Sequence, residues 1–202
     1  RGAFEKDGSV TAGNASSIND GGAAVVVMSA DKAKDMGVKP LVKIVAHAQA
    51  SQDPSWFTTA PAVAMEKVLK KAELTSEDID LWEVNEAFAV VSLVNNEKLN
   101  IPAKKCNVNG GAVALGHPIG ASGTRILVTL IHELLKTDAK RGLASLCIGG
   151  GEALSMIIKK LKLRHYIMGH LRVMSFLFLQ NIKIIFWVFV DFVFLLSLYV
   201  KK

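Results

Sequence analysis

Three features of the sequence predict an α/β fold of layered sheets and helices. Strand-like stretches, Leu41–Ala50, Ile79–Val84 and Arg141–Ile148, alternate with stretches whose apolar residues recur at helical spacing. A glycine-rich run, Asn109–Gly123, feeds directly into one of those helical stretches. A triple glycine, Gly149–Gly151, separates the last two strand-like segments and closes the pattern as an antiparallel hairpin.

Taken in order, residues 1–16 are polar, with turn signals at Asp7-Gly8 and Gly13-Asn14. Ser16 is suited to cap a short helix. Gly21–Ser29 holds a predicted buried strand, Val25–Met28. Leu41–Ala50 reads as a strand with Val42, Ile44 and Ala46 on alternate positions; His47, with no acidic partner nearby, reads as structural. Asp53-Pro54 opens a loop in which Phe57 is an apolar anchor. Pro61 then starts a helix that buries Ala62, Met65, Leu69 and Ala72.

Ile79–Val84 leads to Asn85, and Glu86–Leu99 is expected to continue as a helix. Asn85 therefore stands at a strand-to-helix junction on the carboxyl edge of a sheet, as an N-cap or as a site residue. Cys106–Val108 is expected as a brief strand, with Cys106 a small packed residue. The run Gly110–Gly123 contains five glycines and Pro118, which argues against a regular helix or strand there. His117 lies at its centre. After Gly123, Ile126, Leu127, Leu130, Ile131, Leu134 and Leu135 share one helix face, and His132 reads as a surface or rim residue. An imidazole on a glycine loop that feeds a helix N-terminus is well placed for anionic groups and developing oxyanions. Cys147 ends a strand beside the glycine turn. A cysteine in a strand is by default inert, but Gly149 frees the backbone for a close ligand and favours a reactive thiol.

Composition narrows the class. The chain has 202 residues, half of them hydrophobic, with the apolar excess concentrated after Leu161. Most of the net charge of +6 is also there, on Lys162, Arg164, Arg172, Lys183, Lys201 and Lys202 against Asp191. The remainder is nearly neutral, which argues against a nucleic-acid surface. Two cysteines exclude a disulfide scaffold and point to a reducing compartment. No signal or transit segment opens the chain, and Arg1 is not an initiator methionine. Ile184–Val200 is a borderline membrane span, either a tail anchor or sequence never selected to fold.

Three ordered stretches carry a family resemblance: Trp82-Glu-Val-Asn-Glu-Ala-Phe88, Gly110–Gly123 around His117, and Cys147-Ile-Gly-Gly-Gly-Glu152. Together they resemble the C-terminal part of the thiolases, acetyl-CoA acetyltransferases (acetoacetyl-CoA thiolases) most closely, from residue 1 to about Leu161. The resemblance implies a thiolase-like layered α-β-α-β-α fold with its C-terminal half nearly complete and its N-terminal half mostly missing. Residues 1–16 would end the loop domain, 17–40 the N-terminal domain, 41–161 would form the C-terminal domain, and 162–202 an atypical hydrophobic tail.

The resemblance also implies roles. Cys147 would transfer the α-proton, given a lowered pKa. His117 would activate the nucleophile and, with a water held by Asn85, bind the thioester oxygen. The Gly149 N–H would serve a second oxyanion hole, Ser16 would approach the pantetheine of coenzyme A, and Phe57 would shape the acyl end of the pocket. The reaction is condensation of two acetyl-CoA to acetoacetyl-CoA and coenzyme A, and its thiolytic reverse. Coenzyme A thioesters are substrates, and neither a further cofactor nor a metal is expected. A homotetramer or homodimer in the mitochondrion is expected, the alternatives being the cytoplasm or membrane attachment through the tail.

One departure stands out. The family's nucleophilic cysteine belongs to the N-terminal half, and neither Cys106 nor Cys147 has its context, so this chain alone is expected to be inactive. The Cys147-Ile-Gly149 sequence after the histidine loop favours a thiolase over a ketoacyl synthase. The enzymatic alternative is a longer-chain 3-ketoacyl-CoA thiolase of fatty-acid β-oxidation. The non-enzymatic one is a catalytically dead fragment, attached to a membrane by its tail.

Overall fold

The computed structural model describes residues 1–161 and, beyond them, the backbone of 176–179, 182–186 and 196–199. The central sheet is four-stranded, in the order β2 (Val42–Ser51), β5 (Glu152–Lys160), β4 (Arg141–Ile148), β3 (Leu81–Val84). β3 runs parallel to β4, while β5 is antiparallel to both β4 and β2. Alternation along the strands splits the core into two layers. Trp82, Val84, Leu143 and Ile157 pack with Met65, Val68 and Leu69 of α2 (Ala60–Lys71) and Val91 of α3 (Ala89–Lys98). Ala144 and Ile158 face the other way, onto Ile126, Leu130, Ile131 and Leu134 of α5 (Ser122–Lys136). Leu127 and Leu135 complete that apolar stripe, as the helical spacing predicts. Gly142 lets α5 lie close to the sheet, since a Cβ there would fall 2.6 Å from Leu130 Cδ1.

The hairpin of β4 and β5 forms as expected, with Ile148 opposite Glu152 across the three glycines. Gly150 (φ 98°) and Gly151 (φ 89°) take backbone conformations that side chains disfavour.

Several local expectations are corrected. A bulge between Ile44 and Ala46 breaks the even alternation of β2, so Val42 joins the α5 layer while Ala46 and Ala48 join the α2 layer. Val25–Met28 is not a strand: the paired segment is β1 (Gly21–Ala23), and Val26 and Val27 stand exposed. A short helix, α1 (Ala30–Asp35), follows, capped by Ser29. The helix expected from Glu86, α3, starts at Ala89, because Ala87 N–H turns back to the Asn85 carbonyl and 87–88 pairs with the N-terminal segment at Ala15 and Ser16. Cys106–Val108 makes only an isolated bridge to Trp82, since Asn107 turns the chain at φ 49°. The glycine run includes one helical turn, α4 (Ala112–Leu115), ended by Gly116.

Three further strands, β6 (Phe176–Leu179), β7 (Ile182–Phe186) and β8 (Leu196–Tyr199), pair antiparallel with one another, and β8 with β1. The candidate membrane span at Ile184–Val200 lies largely outside the described residues. No helix among the described residues is long and apolar enough to cross a membrane.

Candidate active site

β3 and β4 are parallel, so their carboxyl ends open on the same edge of the sheet, where α/β proteins assemble sites from the following loops. Asn85 follows β3 directly, with its N–H bonded to the Ser145 carbonyl of β4. Cys147 lies two residues further along β4. The loop after α4 brings His117 to Asn85, with Asn85 Nδ2 3.4 Å from His117 Nε2. Two side chains 32 residues apart in sequence thus meet at one sheet edge.

Asn85 is buried, and its Oδ1 has no hydrogen-bond partner among the described residues. It caps no helix, because α3 begins four residues later with Phe88 at its N-cap. A buried amide oxygen left unmatched is costly, and marks a place for a donor such as a bound water. Asn107 secures its approach: its side-chain amide accepts from Val84 N–H and donates to Val84 O, both at 2.9 Å, like one rung of a ladder.

The histidine loop is held from two sides. On one, the Glu86 carboxylate accepts from the Val113 N–H at 3.1 Å and occupies the space where a side chain on Gly111 would stand. On the other, residues 14–19 form a strap. Ser16 donates both its N–H (2.9 Å) and its hydroxyl (2.8 Å) to the Ala87 carbonyl, so it caps no helix. Further along the strap, Ser17 O accepts from His117 N–H at 2.9 Å, and Asn19 Oδ1 accepts from it at 3.2 Å. Gly116 (φ 93°, ψ 163°) adopts a backbone that is essentially glycine-only, and Asn19 lies against it. The strap therefore ties the Asn85 loop to the His117 loop.

Beyond His117, its Nδ1 lies 2.6 Å from Ser122 Oγ in the first turn of α5. Burial, then the nearby Arg125, push the imidazole pKa below its ordinary value, so the ring is neutral at pH 7.

Cys147 is half-buried, and burial pushes its thiol above the ordinary range, its own backbone N–H opposing this. The lowered pKa that proton abstraction calls for is therefore absent from this site as it stands. Gly149, two residues on, opens the turn, and a Cβ there would meet nothing within 4 Å. Packing among the described residues does not demand this glycine, whereas a group approaching from outside would benefit from it. Phe57 lies edge-on to Phe88 at 6.2 Å between centroids, three residues after Asn85. Cys106 is packed in the core, its thiol pushed up to about 11 by burial, and takes no part in the site. His47 is exposed on β2 and His132 on α5.

The sequence reading missed Ser122, Glu86, Asn19 and Asn107. A hydroxyl five residues past His117, at the start of a helix, is the one local signal among them. Asn19 is 98 residues from His117 and offers none.

Comparison with known proteins gives the family. The family model for the thiolase C-terminal domain matches residues 38–160, and that for the thiolase N-terminal domain matches 1–31. An acetyl-CoA acetyltransferase of Allochromatium vinosum is 54% identical over 161 residues, covering 80% of this chain and 41% of that protein. Among solved structures, the acetyl-CoA acetyltransferase of Bacillus anthracis superposes with a TM-score of 0.78 at 50% identity, over 80% of this chain and 41% of the other. Human mitochondrial 3-ketoacyl-CoA thiolase in complex with CoA gives 0.73 at 42% identity, over 79% and 41%. The chain thus spans about two fifths of the length of the relatives it matches. With the thiolase C-terminal family model matching more than half of it and its fold superposing on thiolases at 42–50% identity, the chain belongs to the thiolase family.

Proposed function

We propose that this chain carries the proton-transfer and oxyanion-binding half of an acetyl-CoA acetyltransferase, acting in a polypeptide that also supplies the nucleophilic cysteine. The observation that supports this best is the meeting of Asn85 and His117 at 3.4 Å on the edge where β4 delivers Cys147. In the thiolytic direction, His117 Nε2 takes the proton of the nucleophilic thiol. The thiolate attacks the keto carbon of acetoacetyl-CoA, and the carbon–carbon bond breaks with its electron pair leaving on the acetyl-CoA fragment. Cys147 protonates that carbanion. A thiol held above its ordinary pKa by burial already carries the proton this step needs. Coenzyme A then accepts the acetyl group. In condensation the same groups act in reverse, and substrate binding must lower the Cys147 pKa.

Asn85, through a water on its unmatched side, and His117 receive the negative charge on the thioester oxygen; the Gly149 N–H serves the second oxygen. Ser16, on the strap, is assigned to the pantetheine, and Phe57 to the acyl end. The loop domain ends at 16, the N-terminal domain at 40, and the C-terminal domain runs over 41–161. Acetyl-CoA, acetoacetyl-CoA and coenzyme A are the partners, with no further cofactor. Homo-oligomerisation, a mitochondrial setting and a place in lipid metabolism rest on the family likeness and on the human mitochondrial relative alone. The longer-chain reading has the support of that same relative, at lower identity than the acetyltransferases.

The test is a chimaera joining this chain to the N-terminal part of the Allochromatium vinosum relative. Thiolysis of acetoacetyl-CoA by the chimaera, none by the 202-residue chain alone, and lower activity on longer 3-ketoacyl-CoA are expected. Turnover by the chain alone, abolished by Cys106→Ala, would overturn the assignment.

A further inference from the structure

The contacts of Ser122 determine which ring nitrogen of His117 is free. Its Oγ is 3.0 Å from Pro118 O and 2.6 Å from His117 Nδ1, and the side chain is fully buried. A hydroxyl has one hydrogen to give, and a carbonyl can only accept. If that hydrogen goes to Pro118 O, the Oγ lone pairs must be met by a proton on Nδ1. A neutral ring then has a bare Nε2, which faces the Asn85 Nδ2 donor at 3.4 Å. Three hydrogen bonds form. If the hydrogen goes to Nδ1 instead, Oγ and Pro118 O, which also accepts from the Ala121 and Ser122 N–H groups, stand 3.0 Å apart with no hydrogen between them. Nε2–H then points at the Asn85 amide N–H unless that amide is turned over, and only two bonds form.

We propose that Ser122 is a positioning residue, which, anchored on the Pro118 carbonyl, holds His117 as the Nδ1–H tautomer and keeps Nε2 as the free base on the sheet edge. Because the Ser122 side chain is fully buried, water cannot readily replace its hydroxyl. When Nε2 gains a proton, the chain from Nδ1–H through Oγ–H to the carbonyl spreads the imidazolium charge away from the site. What the base does rests on the proposed thiolase chemistry, whereas the tautomer is a property of this chain alone.

Long-range 1H–15N correlation spectra of the labelled full chain, at a pH where His117 is neutral, test it. The His117 signals are assigned by their loss in His117→Gln. The expected pattern is pyrrole-like for Nδ1 and pyridine-like for Nε2. Ser122→Ala should lose this single pattern and shift population to Nε2–H, while Ser122→Thr should retain it. A pyridine-like Nδ1 in the wild type, or an unchanged tautomer in a folded Ser122→Ala, would overturn the proposal. If Ser122→Ala does not fold, the wild-type spectrum decides. An inactive chimaera with the Nδ1–H pattern intact would count against the thiolase reading and leave this one standing.

Discussion

The carboxylate of Glu83 lies 3.8 Å from the guanidinium of Arg125, in the layer between the sheet and α5. Glu83 is two residues before Asn85, and Arg125 three after Ser122, so the pair joins the two elements that carry the site. It is an imperfect pair: Arg125 Nε and Nη1 have no hydrogen-bond partner among the described residues. Burial pushes the Glu83 carboxyl up to about 7, Arg125 opposing the shift.

The pH dependence of stability follows from that shift. Folded Glu83 holds its proton up to about pH 7, whereas the unfolded side chain releases it near 4.5. Its contribution is therefore complete below the unfolded value and lost as pH rises through about 7. His117, depressed in the fold, adds an opposite slope below its ordinary value of 6.5. Urea denaturation of the chain and of Glu83→Gln, compared at each pH from 4 to 8, isolates the Glu83 part. The wild type should lose stability relative to Glu83→Gln across this window, and a constant difference would contradict the assignment.

Asn107→Ala should destabilise the chain by about 1–3 kcal/mol, the cost of leaving buried backbone groups unpaired, with extra strain from φ 49°. Denaturation midpoints measure the loss. The Asn85 side-chain amide resonances should shift with it, since Val84 is the residue that Asn107 pins.

Gly116→Ala should cost roughly 1–3 kcal/mol for the backbone conformation alone, and its methyl would run into Asn19. The expected signature is local: the His117 resonances should move more than those of His47 or His132. Equal shifts at all three would mean that the strap does not govern the loop.

Residues 1–161 should fold without the tail, because the central sheet of β2, β5, β4 and β3 is complete within them, with Leu161 N–H bonded to Leu41 O, and only β1 loses its partner β8. Removing 162–202 takes away long apolar runs and most of the net charge. The shortened chain should be the more soluble and monodisperse one in gel filtration. Identical behaviour of the two would contradict this.

Residue patterns made the main sheet, the apolar helix faces and the β4–β5 hairpin legible, because period-2 and helical spacings and a triple glycine are local signals. Asn85, His117 and Cys147 were legible because each sits in a short distinctive stretch. The support around them was not. Asn19 and Ser16 act on residues far along the chain, and Asn107 imitates a backbone rung with its side chain. The bulge at Ile44–Ala46 shifts a pattern by one residue without leaving a glycine to mark it. Cys147 shows the limit in the other direction: its place at the turn was readable, while the rise in its pKa depends on burial.

The division of labour between His117 and Cys147 is tested most directly by α-proton exchange. In the chimaera, Cys147→Ala should still form the acyl-enzyme with acetyl-CoA, yet its rate of deuterium uptake at the methyl of acetyl-CoA should fall at least about 10²-fold, the usual loss for an acid–base group. His117→Ala should instead slow acylation, by a similar factor. Normal deuterium exchange in Cys147→Ala would contradict the central claim that this thiol moves the α-proton.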